Sequence, residues 1–228
     1  MKGLQYLNFP VSFLRTVDLT VVLEEALLFC SYETMKRVKS DRAHFYDLIE
    51  IHGLVETELK YDLYSKAKDL YDANVKSVRC GVNHIAFINY LNTSNDNLLN
   101  IEFRAYCATK AIIGKKVYMK TNFKEIFSLM FGYKSYCDLS EKTLLKISSF
   151  EKARAKRKIL ERLEVKWHLS IYSLHSRGMY ISYKFSPVEL IVEVKKSKMV
   201  SKIKQKINEK KADAILLKFM DEIDVSSG

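Results

Sequence analysis

Apolar positions along this chain recur mostly at helical spacing. Leu19, Val22, Leu23, Ala26, Leu27 and Cys30 stand three or four residues apart behind Asp18, which predicts a capped helix of about 18 residues. Asp41 opens a second, short helix expected to stop at Gly53. Leu59, Leu63, Ala67 and Leu70 predict a third over 56–74, and residues 82–91 are apolar enough to predict a fourth, buried nearly all round. Residues 1–17 are apolar without a period, and Phe9-Pro10 marks an extended arm.

The stretch 92–97 (NTSNDN) is the most loop-like in the chain, and it sets the expected boundary between domains. Beyond it a helix is predicted over 98–113, with Leu99, Phe103, Tyr106, Cys107 and Ile113 on one stripe and Gly114 just past its end. Residues 116–119 read as a short strand. Thr121 or Asn122 caps the next helix, which Gly132 stops. Asp138 and Glu141 stand at capping-box spacing and start another, and a basic helix follows over 151–164. The period then shortens to two. Trp167, Leu169 and Ile171 alternate with polar neighbours, residues 179–185 alternate again, and 175–178 supply the turn of a hairpin. Residues 186–194 fit either a strand or a helix start at Pro187. Ile203, Ile207, Ala214, Ile215 and Leu217 then predict an amphipathic helix that packs or dimerises.

Composition agrees with a mainly α fold. Two prolines and seven glycines in 228 residues leave little punctuation for a many-stranded fold, and 12 % aromatic residues imply a folded chain. Cys30, Cys80, Cys107 and Cys137 form no pair at ligand spacing, so no zinc is expected and the thiols read as reduced and buried. The start MKGLQYLNFP lacks the pattern of a signal peptide, and no apolar run is long enough to cross a bilayer. A cytoplasmic protein without a membrane partner is the expectation.

Charge divides the chain. Residues 110–211 carry 25 Lys and Arg against 9 Asp and Glu, whereas residues 1–109 carry 12 against 14. A near-neutral half joined to a strongly basic one implies that the basic half meets a polyanion. The expected organisation is a helical partner or oligomerisation domain over 1–96, a basic domain over 97–186 and a basic helical extension over 187–228.

Helix, short strand, helix, glycine turn, helix and hairpin follow one another in the order of a winged helix. The segment EIFSLMFGYKS at 125–135 places Ser128 and Gly132 where helix-turn-helix proteins carry a small residue and a turn glycine. Residues 99–185 therefore resemble the winged-helix class of DNA-binding proteins, although Asp138 stands where that class has an apolar residue. The resemblance implies a helix in the major groove and a hairpin tip against the backbone. Lys134, Ser135, Tyr136, Lys142 and Lys146 are the candidates for the groove helix, and Arg177 for the hairpin tip. Lys152, Arg154, Lys156, Arg157 and Lys158 are candidates for phosphate contact, in a run that also holds Arg162 and the acids Glu151, Glu161 and Glu164. Lys195 to Lys211 add further lysines against the single acid Glu209, a stretch that reads as surface. Tyr133, Tyr136, Tyr172, Tyr180 and Tyr183 interleave with lysines as in proteins that stack single-stranded bases, but core packing is their commoner fate.

Two other classes compete. Glu193 and Lys195 resemble the Glu-x-Lys strand of the PD-(D/E)xK nucleases, which would make a Mg-dependent nuclease, but residues 176–188 hold no upstream acid. The basic half could instead dock on an acidic protein surface in a structural or inhibitory role. His44, His52, His84, His168 and His175 form no paired motif, and no phosphate-binding glycine loop is present. A non-enzymatic binder of duplex DNA, without cofactor or metal, is the leading expectation. A regulator or replication initiator, bacterial or carried by a phage or plasmid, fits the Lys-, Asn-, Ile- and Tyr-rich composition.

Overall fold

The computed structural model describes residues 4–52, 60–93, 100–173 and 178–226. Among them the chain is mainly α-helical, with short strands in two small antiparallel sheets. Gly53, the expected domain boundary at 94–97 and Arg177 of the hairpin tip lie outside the described residues, as do the side chains of Ala214, Ile215 and Leu217.

The N-terminal arm is strand β1 (Tyr6–Pro10), followed by a 3-10 turn at Val11–Arg15. Helix α1 (Leu19–Val38) starts where the Asp18 carboxylate accepts from Thr20 N, and α2 (Arg42–Ile51) where Asp41 accepts from His44 N. Both caps follow from an acceptor side chain placed before orphan backbone donors. Helix α3 (Lys60–Asn74) packs on α1. Strand β2 (Arg79–Asn83) then pairs with β1, bringing Leu7 opposite Val82 and Phe9 opposite Cys80. The fourth helix expected over 82–91 is thus displaced by two residues: α4 spans His84–Thr93. Cys80 and Val82 alternate inward, and the Asn83 side chain accepts from Ala86 N to start the helix afresh. Nor is α4 buried all round. Phe87 is in the core, but Ile85 is 67 % exposed.

Helix α5 (Ile101–Ile113) runs through the centre, packing against β2, α6 (Phe123–Met130) and α8 (Ala153–Trp167). Strand β3 (Met119–Thr121) lies slightly later than expected, because its register is set by pairing with β5 (Met179–Ser182). Asn122, rather than Thr121, caps α6 (Phe123–Met130) by accepting from Glu125 N. A 3-10 turn at Tyr136–Asp138 precedes α7 (Glu141–Ser148). Its cap is Ser140, accepting from Thr143 N, so the expected Asp138 capping box is not formed and Asp138 belongs to the preceding turn. Helix α8 (Ala153–Trp167) leads into strands β4 (Ser170–Ser173) and β5 (Met179–Ser182), and the sheet order is β3-β5-β4.

Residues 187–194 are helical, as the start of α9 (Pro187–Ser226). A reciprocal capping box decides it: Ser186 N donates to the Glu189 carboxylate at 2.8 Å, and Glu189 N donates to Ser186 Oγ at 3.3 Å. Those bonds hold the Glu189 carboxyl below its usual pKa. Leu190 and Val194 bury themselves against the hairpin.

One buried cluster contains Leu7, Phe9, Phe29, Phe87, Phe103, Phe127, Leu163 and Ile181, so apolar packing continues across the expected boundary between halves. A smaller cluster around Tyr32 and Phe45 ties α1, α2 and α3 together. Cys30, Cys80 and Cys107 are buried free thiols, but Cys137 is exposed, because it sits on the outer 3-10 turn after α6. Among the described residues no helix is long and apolar enough to cross a membrane.

Candidate nucleic-acid interface

Two residues of α5, two positions apart and opposite in charge, position the basic surface. Glu102 is 4 % exposed and faces α8, where it takes Lys166 at 3.1 Å and Trp167 Nε1 at 3.3 Å, with Arg162 at 3.9 Å. Arg104 is 1 % exposed and points the other way. Its guanidinium donates to the carbonyls of Leu14 and Met130, to Thr16 at 2.7 Å and to Val17 at 2.9 Å. Burial lowers its pKa to about 10, which leaves it charged at neutral pH. Through Arg104, α5 grips both the N-terminal arm and the end of α6.

The turn after α6 depends on Gly132, at φ +78°. A Cβ there would stand 2.8 Å from Arg15 Cγ and from Arg15 N. The glycine that the helix-turn-helix resemblance singles out is therefore pressed against the N-terminal arm. Ser128 of α6 is buried, and its carbonyl accepts from Phe131 N and Tyr133 N.

Of the residues expected to touch nucleic acid, Lys134 and Ser135 are exposed in the turn, and Ser135 is engaged in capping the 3-10 turn. Tyr136 is half-buried and donates to Glu151 at 2.7 Å, while Lys124 lies over its ring. Lys142 is exposed on α7, and Lys146 is partly covered beside Arg15 and Tyr133. On α8, Ile159 and Leu163 face the core, and Arg154, Arg157 and Lys158 are exposed. Lys152 is the residue before the first turn of α8. Arg157 pairs with Glu161 at 3.2 Å, both well exposed, and Lys156 lies over the Phe123 ring. The helix directly before the hairpin is α8, which adds its outer face to the groove candidates drawn from 134–146.

Charge compensation sorts these cations. Arg162 and Lys166 serve the buried Glu102, and Arg157 has Glu161. Lys134, Lys142, Lys146, Lys152, Arg154 and Lys158 form no ion pair among the described residues. The exposed acids Asp138, Glu141 and Glu151 lie in the same stretch, but none of them pairs with these six.

The tyrosines divide between core and surface. Tyr183 is half-buried and shares a 2.7 Å hydrogen bond with Thr109; Tyr172 and Tyr180 stack on each other across the hairpin. The Tyr133 hydroxyl takes side-chain hydrogen bonds from Ser140 and Thr143, which hold its pKa below the usual phenol range. Glu193 pairs with Lys196 at 2.9 Å on the exposed part of α9, and two residues on a helix turn about 200°. Glu193 and Lys195 therefore do not share a face, as the nuclease resemblance requires.

Sequence reasoning missed Arg15, Lys76, Glu102 and Arg104. Each belongs to the near-neutral half or to the start of α5, where charge counting gives no signal. No protein-family model, curated protein or solved structure matches the chain.

Proposed function

We propose that this protein binds duplex DNA without catalysing a reaction, through the turn after α6, the exposed side of α7 and the outer face of α8. The observation that carries this is the set of six cations over 134–158, Lys134, Lys142, Lys146, Lys152, Arg154 and Lys158, that have no ion-pair partner among the described residues. Cations that have no ion pair to break lose little by exchanging water and counterions for phosphates. The winged-helix reading is supported by the sheet order β3-β5-β4, which joins the strand between α5 and α6 to the hairpin after α8. In that reading α8 takes the groove and α7 is an added helix. Phosphate contacts would then position the protein, and base-edge contacts would come from the outer face of α8, where Arg154 is exposed.

A mobility-shift titration against random duplex, single strands and RNA tests this, at 50 and 200 mM salt, with and without Mg²⁺. Six phosphate contacts with a slope of about −0.9 each predict a loss of affinity on the order of a thousandfold across that range. Absence of duplex binding at 50 mM salt refutes the proposal. Binding to an acidic protein that excess DNA does not displace places the same cations in a protein interface. Cleavage that needs Mg²⁺ refutes the non-enzymatic part.

A further inference from the structure

The seam between the N-terminal arm and the turn after α6 holds a cleft that lies beside the surface assigned above. Ser12 and Arg15 of the arm, Lys76 and Ser77 between α3 and β2, and residues 132–134 line a volume of about 240 Å³. Arg15, Lys76 and Lys134 reach it from positions far apart in the chain, and no carboxylate is among the lining residues.

Arg15 is held in place there. Its Nε donates to the Gly132 carbonyl at 3.2 Å, and its guanidinium carbon lies 4.7 Å from the centre of the Tyr133 ring. Those contacts occupy Nε and one face, leaving the terminal nitrogens of the fork without a hydrogen bond among the described residues. The Ser12 and Ser77 hydroxyls both donate to Asn74 Oδ1, at 2.8 and 3.1 Å, so their protons are already engaged. What the cleft offers a ligand is therefore positive charge rather than neutral donors.

Two cations of the same half have a carboxylate to hand: Lys66 pairs with Glu24 at 2.8 Å and Arg79 with Glu33. Arg15 and Lys76 have no such partner among the described residues. A smaller cleft shares Arg15 and Tyr133 and adds Lys146, so the cationic lining runs on toward α7. Three converging cations exceed what a single carboxylate balances. A fork beside two point charges suits a group with several anionic oxygens.

The geometry points to this cleft as a phosphate-binding site, by which the near-neutral N-terminal half joins the anion-binding surface of the basic half. The phosphate is either a backbone phosphodiester, which rests on the duplex-binding proposal, or a free phosphate group, which does not. Lys76 is the residue to change, because it is exposed and lies outside the elements assigned to the duplex.

The experiment compares wild type with Lys76→Gln in duplex binding at several salt concentrations, and in the urea midpoint with and without pyrophosphate. Arg154→Gln on α8 serves as the reference for loss of one contact of the main interface. If the phosphate belongs to the duplex, Lys76→Gln weakens binding about three- to tenfold and lowers the salt slope by about 0.9, with an unchanged midpoint in plain buffer. If duplex binding is unchanged but pyrophosphate raises the wild-type midpoint and not that of Lys76→Gln, the cleft takes a free phosphate. If neither readout separates the two proteins while Arg154→Gln weakens duplex binding, the cleft assignment is overturned and the duplex proposal stands. If wild type binds no duplex, the pyrophosphate comparison alone decides: the cleft assignment stands if only wild type is stabilised, and falls otherwise.

Discussion

Replacing Arg104 by methionine removes a buried guanidinium while keeping a long, unbranched side chain in its place. Four backbone carbonyls lose a donor. Those of Leu14 and Met130 are met by Arg104 in fully buried hydrogen bonds, and those of Thr16 and Val17 in partly buried ones. Leaving a buried acceptor unpaired costs about 1–3 kcal/mol, so the two buried carbonyls account for about 2–6 kcal/mol. The partly buried pair can turn to water and adds little. Against this, the variant no longer strips water from a cation, a cost visible in the pKa of Arg104 falling to about 10. The balance is a destabilisation of about 2–4 kcal/mol. Urea unfolding at pH 7 measures it. With a slope of about 2–3 kcal/mol per molar for a chain of this size, the midpoint falls by roughly 1 M at constant slope. Arg104→Lys is expected to recover less than half, because one ammonium cannot serve carbonyls on two segments. A methionine variant within about 0.5 kcal/mol of wild type, or full recovery by lysine, refutes the idea that the fork holds the arm against α6.

Gly132→Ala is expected to cost at least about 2 kcal/mol in the same assay: its φ of +78° is strained for alanine, and the added Cβ meets the Arg15 backbone at 2.8 Å. Glu102→Gln keeps an acceptor for Trp167 Nε1 but loses the charge that holds Lys166. Because Lys166 is itself 63 % exposed, the expected loss is only about 1 kcal/mol, and a cost above about 3 kcal/mol would contradict it. The neighbouring rings of His52 and His84 set a pH dependence. Burial holds both pKa values below the ordinary 6.5, and His52 Nε2 accepts from Leu4 N, so the folded chain keeps them neutral. Protons therefore bind the unfolded chain first. The stability they contribute is complete above about pH 6.5 and is lost as the pH falls below it, so urea midpoints should drop between pH 7 and 5.5, and less so in His52→Gln.

Local signals in the sequence were reliable wherever one residue satisfies a neighbour three or four positions away. Asp18, Asp41 and Asn122 cap the helices they were expected to cap, and Gly132 takes the left-handed turn conformation. Period-two alternation marked the hairpin correctly, though Trp167 proved to be the last residue of α8. The Asp138 box failed because Ser140 offers a competing cap two residues later, and periodicity cannot choose between them. Strand β2 carries no signal of its own, and its last two residues read as the start of α4, because the inward pair Cys80 and Val82 is too short a run to reveal a period of two.

Charge asymmetry and a mainly α fold are properties of the sequence by itself, since composition and short-range spacing contain them. Pairing of β1 with β2 across some seventy positions, closure of β3 onto β5, and the burial of Arg104 are decided only when distant segments meet. The same holds for the cleft. Arg15, Lys76 and Lys134 are unremarkable singly, and 117 positions separate Arg15 from the Gly132 carbonyl that fixes it. Their fields add only because packing brings them to one cleft that no carboxylate lines.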